Sequence, residues 1–161
     1  MKFLLISFLL LCSSLSFSFP NEGDFVRYQA QQGSDTYEIK KGLIEYDPFT
    51  DSYLETYKLT LNEEILDEYV IAVQSWWLYN PTKVLDLLRT CVRREGALER
   101  MKIANSFVDV CTFHNESAQL DYSIGMVPFG QVRFQHYLGG SQFLDFYLVD
   151  FQMGPRPVGV E

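Results

Sequence analysis

Two histidines, two tryptophans and three cysteines are all that this 161-residue chain holds of those types. With His114 and His136 the only imidazoles, little is left for a metal centre or a general base. No Gly-x-Ser-x-Gly elbow, His-Glu-x-x-His pair, phosphate loop or dinucleotide fingerprint occurs. Cations are also few, with 13 Lys and Arg against 21 Asp and Glu for a net charge of −8. Nucleic-acid binding needs clustered cations, so that class is excluded. No apolar run reaches the roughly 20 residues of a membrane-spanning helix. The expectation is a protein with no catalytic residues, no metal, no cofactor and no transmembrane segment in its mature chain.

What is present begins with an export signal. Met1-Lys2 precedes the apolar run Phe3 to Leu11, and small residues follow at Ser16 and Ser18. That order reads as a secretory signal peptide over residues 1–18. Cys12 is not a lipid-attachment site on this reading, because Leu11 stands where a small residue is required. Cleavage after Ser18 also removes Lys2 and makes the chain still more acidic. The remainder suits one globular domain over residues 19–153, with a flexible tail at 154–161. An apolar fraction of 47% excludes a disordered chain. The expected location is periplasmic or extracellular.

Two cysteines survive processing, Cys91 and Cys111, and an even count in an oxidising compartment reads as a disulfide. Such a bridge closes a loop of about twenty residues and contributes about 3 kcal/mol in the chain-entropy model. The rival reading pairs a reactive Cys111 with His114. On a strand, residues three apart point to opposite faces, so that pair does not meet.

Most of the chain alternates with strand period. Val26, Tyr28 and Ala30 share one face, and Tyr37 and Ile39 follow after a break at residues 32–35. Ile44 and Tyr46 fall on the opposite parity, which makes Gly42 the expected bulge. Asp47-Pro48-Phe49-Thr50-Asp51 is a turn. Tyr53, Tyr57, Leu59 and Leu61 continue the alternation, with Glu55 the exception. Residues 62–79 fit either a helical stripe or a buried strand, and periodicity does not separate the two. Their β-branched and aromatic content favours a hairpin turning near Asn62-Glu63 and returning through Tyr69 to Trp77. The acids Glu63, Glu64, Asp67 and Glu68 then read as a solvated turn, lacking the alternating oxygen ligands of a calcium loop.

One helix is well signalled over residues 81–95. Asn80 is the N-cap, Pro81 the first helical residue and Gly96 the stop. Val84, Leu85, Leu87, Leu88, Cys91 and Val92 form its apolar stripe, which turns Cys91 towards a sheet. In the next hairpin a three-residue loop, Ala104-Asn105-Ser106, sets Met101 opposite Asp109 on the face that the helix covers. Asp109 then needs a partner on an apolar face. In the last hairpin, a Gly139-Gly140-Ser141 loop sets Phe134 opposite Phe146 and His136 opposite Leu144. That register leaves one clean face, and a slip by one residue exposes the whole set.

Two features stand out as possible ligand or partner contacts. Trp76-Trp77, followed by Tyr79, are expected on a strand whose neighbouring residues point to opposite faces, which on this reading leaves one indole outside the core. Lys83, Arg89, Arg93, Arg94, Arg100 and Lys102 concentrate positive charge over residues 83–102. Arg89 and Arg93 suit the helix dipole, and they would equally suit an anionic partner.

The order of landmarks resembles small exported proteins of Gram-negative bacteria. The residues that carry the likeness are Gly23-Asp24-Phe25-Val26-Arg27-Tyr28, the pair Cys91 and Cys111, and the turn Val127-Pro128-Phe129-Gly130. The resemblance implies a periplasmic or outer-membrane-associated location and no assigned activity. The fold class expected is α+β, a strongly curved antiparallel sheet of about seven to nine strands packed on one helix. Such half-barrels resemble periplasmic lipoprotein carriers, a likeness of fold rather than of function. The function expected is that of a non-enzymatic envelope binding protein. It would hold an apolar or lipid-like ligand between sheet and helix. The alternative is a protein–protein interaction module that uses an exposed tryptophan or a sheet edge.

Overall fold

The computed structural model describes residues 20–75, 78, 80–115, 120–138 and 142–154, with backbone alone for 136–138 and 142–144. The signal segment 1–18, Trp76, Trp77, Tyr79, the loop 139–141 and the tail from 155 onward lie outside the described residues.

Nine strands form one antiparallel sheet: β1 Phe25–Gln32, β2 Asp35–Asp47, β3 Ser52–Leu61, β4 Glu64–Gln74, β5 Ala97–Ile103, β6 Ser106–Asn115, β7 Leu120–Gly125, β8 Gln131–Leu138 and β9 Gln142–Gln152. Helix α1, Pro81–Thr90, separates β4 from β5. The spatial order β4-β3-β2-β1-β9-β8-β7-β6-β5 joins two meanders through the pairing of β1 with β9. The ends of the domain thus meet in the middle of the sheet, and its edges are β4 and β5. The α+β class holds, but the sheet is open and lacks the strong curl expected of a half-barrel.

Val26, Tyr28 and Ala30 of β1 are buried as their alternation requires. They join Ile39, Ile103, Val108, Val110, Val127, Val132, Phe146 and Leu148 in the main core. The last hairpin has the register that one clean face demands, with Phe134 opposite Phe146 and Leu138 opposite Gln142. The β3–β4 hairpin turns at Asn62 and Glu63, both left-handed, at φ 48° and 73°. Asn62 offsets that strain by bonding to the Thr36 N–H at 2.9 Å and to Asp35 at 2.8 Å.

Four local expectations are corrected. The irregularity in β2 falls between Leu43 and Glu45 rather than at Gly42, so Leu43 is buried and Ile44 is exposed. The β5–β6 turn uses two residues, with Ala104 left-handed at φ 49°, so Ile103 faces Ser106 and Arg100 faces Asp109. Asp109 is solvated, 3.6 Å from Arg100, because α1 covers only the far end of β6. The helix stops at Thr90 instead of residue 95, and a 3-10 turn over Val92–Arg94 follows. Its start is as expected: Asn80 accepts from the Lys83 N–H at 2.9 Å.

The stop has a packing cause. Cys91 is bonded to Cys111, with Cα atoms 5.8 Å apart, and the chain must double back at once into β5. A methyl group on Gly96 would lie 2.6 Å from the Cys111 sulfur and 2.9 Å from that of Cys91, so only glycine passes there. Neighbouring residues on β6 face opposite ways. Val110 enters the main core while Cys111 turns to the helix. The helix seats Val84, Leu87 and Leu88 against Ile124 and Tyr122. Leu85 and Val92, assigned to the same stripe, are exposed because this seam is narrower than the stripe.

Gly125 is filled around as tightly. An added Cβ would lie 2.9 Å from both Val108 and Val132 and 3.1 Å from the Asp109 carbonyl. Gly125→Ala is expected to cost about 1–3 kcal/mol by overpacking, read as a lowered urea midpoint with an unchanged slope.

Candidate functional site

Edge strands are normally blunted by lysine, proline, short length or bulges. β4 spans Glu64–Gln74 and contains neither lysine nor proline. Its one register shift lies opposite Leu59 and Thr60, after which pairing with β3 runs unbroken from Asp67 to Gln74. Having a neighbour on one side only, it presents alternate N–H and C=O groups to solvent along the other.

The side chains of β4 are apolar on both faces and largely open to solvent. Val70 is 57% exposed, Ile65 54%, Leu66 52% and Ile71 45%. Tyr69 stacks on Tyr57 across the strands, ring centroids 4.7 Å apart, and Lys41 lies over the Tyr57 ring. Behind them Glu55, the exception in the β3 alternation, is buried and meets Lys41 at 3.5 Å. Burial first, then the charges of Glu55 and Asp67, push the Tyr69 phenol above its ordinary value.

Charge is graded along the edge. Glu63, Glu64, Asp67 and Glu68 occupy one end, and Tyr69 to Val73 carry no charge at the other. Glu68 pairs with Lys58 at 3.5 Å, while Asp67 has no ion pair among the described residues. Beside the strand lies a groove of about 460 Å³ lined by Phe25, Lys40, Thr56, Lys58, Glu68 and Val70. A larger polar groove of about 720 Å³ lies over Gln29, Thr36, Glu38, Lys40, Thr60 and Asn62. Both belong to the β1–β4 half, away from α1.

The other edge differs in character. β5 turns Met101 and Ile103 to the core and leaves Leu98, Arg100 and Lys102 on its opposite face. Leu98 is 54% exposed, and Arg100 lies over Phe107 with 5.6 Å to the ring centroid.

No family model and no curated protein matches the chain. Among solved structures it is similar to MucB in complex with MucA(peri), at 8% identity and a TM-score of 0.49. That match covers 85% of this chain and 52% of the other, so the chain spans about half of that neighbour's length. It is also similar to a predicted lipoprotein from Clostridium difficile 630, at 7% identity and a TM-score of 0.25. There the match covers 72% of this chain and 84% of the other.

Of the residues singled out in the sequence, Cys91 and Cys111 come together as the disulfide. Arg89 and Arg93 are exposed on the solvent side of α1 and its 3-10 extension, and neither lines the grooves above. Trp76, Trp77 and Tyr79 lie outside the described residues. The open edge is not legible in the sequence, where residues 62–79 fit either a helical stripe or a buried strand. The unbroken apolar run of residues 69–73 fits any strand with two apolar faces, and only topology makes β4 an edge.

Proposed function

We propose that this is an exported, non-enzymatic envelope protein that binds other polypeptides by adding an extended segment to the β4 edge. One observation carries the reading: a long edge without lysine or proline whose apolar side chains are open on both faces. Main-chain hydrogen bonds would supply affinity, and the alternating side chains beside Val70 and Ile71 would supply selectivity. The disulfide supports an oxidising compartment. An apolar ligand between sheet and helix has less support, since Val84, Leu88 and Ile124 already fill that seam.

A photoreactive amino acid at Val70, compared with one at Arg89, tests the reading in the host envelope. Discrete cross-linked products from position 70 alone are expected. Cross-links from Arg89 alone, or from neither position, would overturn it. A second check is Val70→Pro, which removes a backbone donor on the edge without entering the core. It is expected to abolish the cross-linking seen from a probe at Ile71 while leaving the unfolding midpoint within about 1 kcal/mol of wild type.

A further inference from the structure

Resting on that reading, we infer that the strand added to β4 is the β4 edge of a second copy of this chain, in a two-fold dimer centred on Ile71. The hydrogen-bonding parity of the edge comes first. The Ser75 N–H donates to the Asp51 carbonyl at 2.9 Å, one step beyond the pair of Ser52 with Gln74. Bonded pairs recur at every second residue of an antiparallel ladder, so Asp67, Tyr69, Ile71 and Val73 bond inward to β3. The free main-chain groups are those of Glu68, Val70, Ala72 and Gln74.

Two copies form a ladder only where these outward-bonding residues face one another. Centred on Ile71, an antiparallel pair sets Val70 opposite Ala72 and Glu68 opposite Gln74, and both pairs bond through the main chain. Between them Tyr69 lies opposite Val73, and Ile71 opposite itself. Apolar residues thus meet apolar residues, and each Glu68 meets an amide able to donate to it. Asp67 falls opposite Ser75, just past the strand, so no acid faces an acid.

The neighbouring registers that keep the parity lie two residues away on either side. One sets Glu68 against Ala72 and Asp67 against Val73, which places carboxylates on apolar partners. The other sets Val70 against Gln74 and Tyr69 against Ser75, and it shortens the overlap. The β4 edge therefore matches itself in one alignment. β5 is not such an edge: it has seven residues and carries Arg100 and Lys102, charges of the kind that ordinarily guard an edge. The contact between two β4 strands is isologous, so it closes at two chains and joins two nine-stranded sheets edge to edge. A single strand pair buries less than a stable dimer needs, so the dimer is weak and depends on concentration.

Sedimentation velocity of the purified protein from roughly 1 µM to 1 mM, the range that populates weak contacts, tests this. Wild type is expected to pass from monomer to dimer and to form nothing larger. Val70→Pro removes a main-chain donor from each half of the contact and is expected to stay monomeric. A cysteine variant reads the register, because directly opposed residues of a non-bonded pair have Cα atoms about 4.5 Å apart, within disulfide reach. Ile71→Cys is expected to oxidise to a covalent dimer about tenfold faster than Phe49→Cys at equal concentration, since pairing raises the local concentration of thiol. Phe49 is 97% exposed on the turn between β2 and β3, away from the paired edge. A wild type that stays monomeric throughout, growth past two chains, or an Ile71→Cys variant that oxidises no faster than Phe49→Cys would each overturn the inference. A Val70→Pro variant that dimerises as wild type does would overturn it as well. The Val70 cross-link separates the two readings. A product of twice the chain mass is expected, whereas a different polypeptide at Val70 with a monomeric chain keeps β4 docking and removes self-pairing.

Discussion

Reducing the Cys91–Cys111 bond is expected to lower stability by about 3 kcal/mol, the chain-entropy value for a loop of this length. For a domain of this size that corresponds to a fall of about 10 °C in the melting temperature. The consequence is local as well as global. Among the described residues, α1 is held to the sheet by the disulfide and by Val84, Leu87 and Leu88 against Ile124 and Tyr122. Without the covalent tie, amide exchange should accelerate first across Leu87, Leu88 and Cys91, ahead of the β1–β9 centre. Cys91→Ala with Cys111→Ala should match the reduced wild type, apart from a small extra loss for the vacated sulfur volume. Reduction that leaves the melting temperature unchanged would show that the bond contributes nothing to the folded state.

The helix also separates what was legible in the sequence from what was not. Its start rests on neighbouring residues, Asn80 capping Lys83 with Pro81 at the first position, and local chemistry is readable in order along the chain. Its end depends on Cys111, twenty positions away, and on the Gly96 backbone passing the two sulfurs, which no periodicity contains. The hairpins divide in the same way. The β8–β9 register was legible because a single clean apolar face singles out one alignment. The β5–β6 register was not, since Ala104 adopts a left-handed conformation that alanine gives no reason to expect. β4 was recognisable as a strand, but its exposure follows from β1 pairing with β9, which leaves β4 outermost. The cations at residues 83–102 were likewise visible only as a cluster. In the fold they part, Arg89 and Arg93 going to the helix and Arg100 and Lys102 to the second edge.

Asp24→Ala is the other substitution expected to cost a great deal, about 3 kcal/mol at acid pH. The Asp24 side chain is buried and accepts from the Asn21 N–H and the Gly154 N–H, each at 2.8 Å. One carboxyl group therefore joins the entry into β1 to the exit from β9, and it holds Gly154, the residue expected to begin the free tail. Around it, the Gly23 N–H donates to the Leu43 carbonyl at 2.6 Å, and the Tyr53 hydroxyl donates to the Pro20 carbonyl at 2.8 Å. Alanine leaves two buried N–H groups without acceptors, at roughly 1–3 kcal/mol each, less what is regained by not burying a carboxylate. Asparagine keeps one oxygen but turns an N–H₂ towards the second donor, so Asp24→Asn should lose about half as much.

The pH dependence has a definite sign. Burial raises the Asp24 pKa above its ordinary 3.8, and the two backbone donors only partly offset that. A raised carboxyl pKa means that the fold prefers the protonated side chain. Its contribution is full below pH 3.8 and is lost as pH rises through the folded-state value. The stability gap between wild type and Asp24→Ala should therefore be widest at acid pH and narrow with increasing pH. Because each comparison is made at a single pH, the titration of the remaining carboxylates largely cancels. A gap that widens instead, measured by urea unfolding at matched pH, would mean that the backbone donors outweigh burial and that Asp24 is held as the anion.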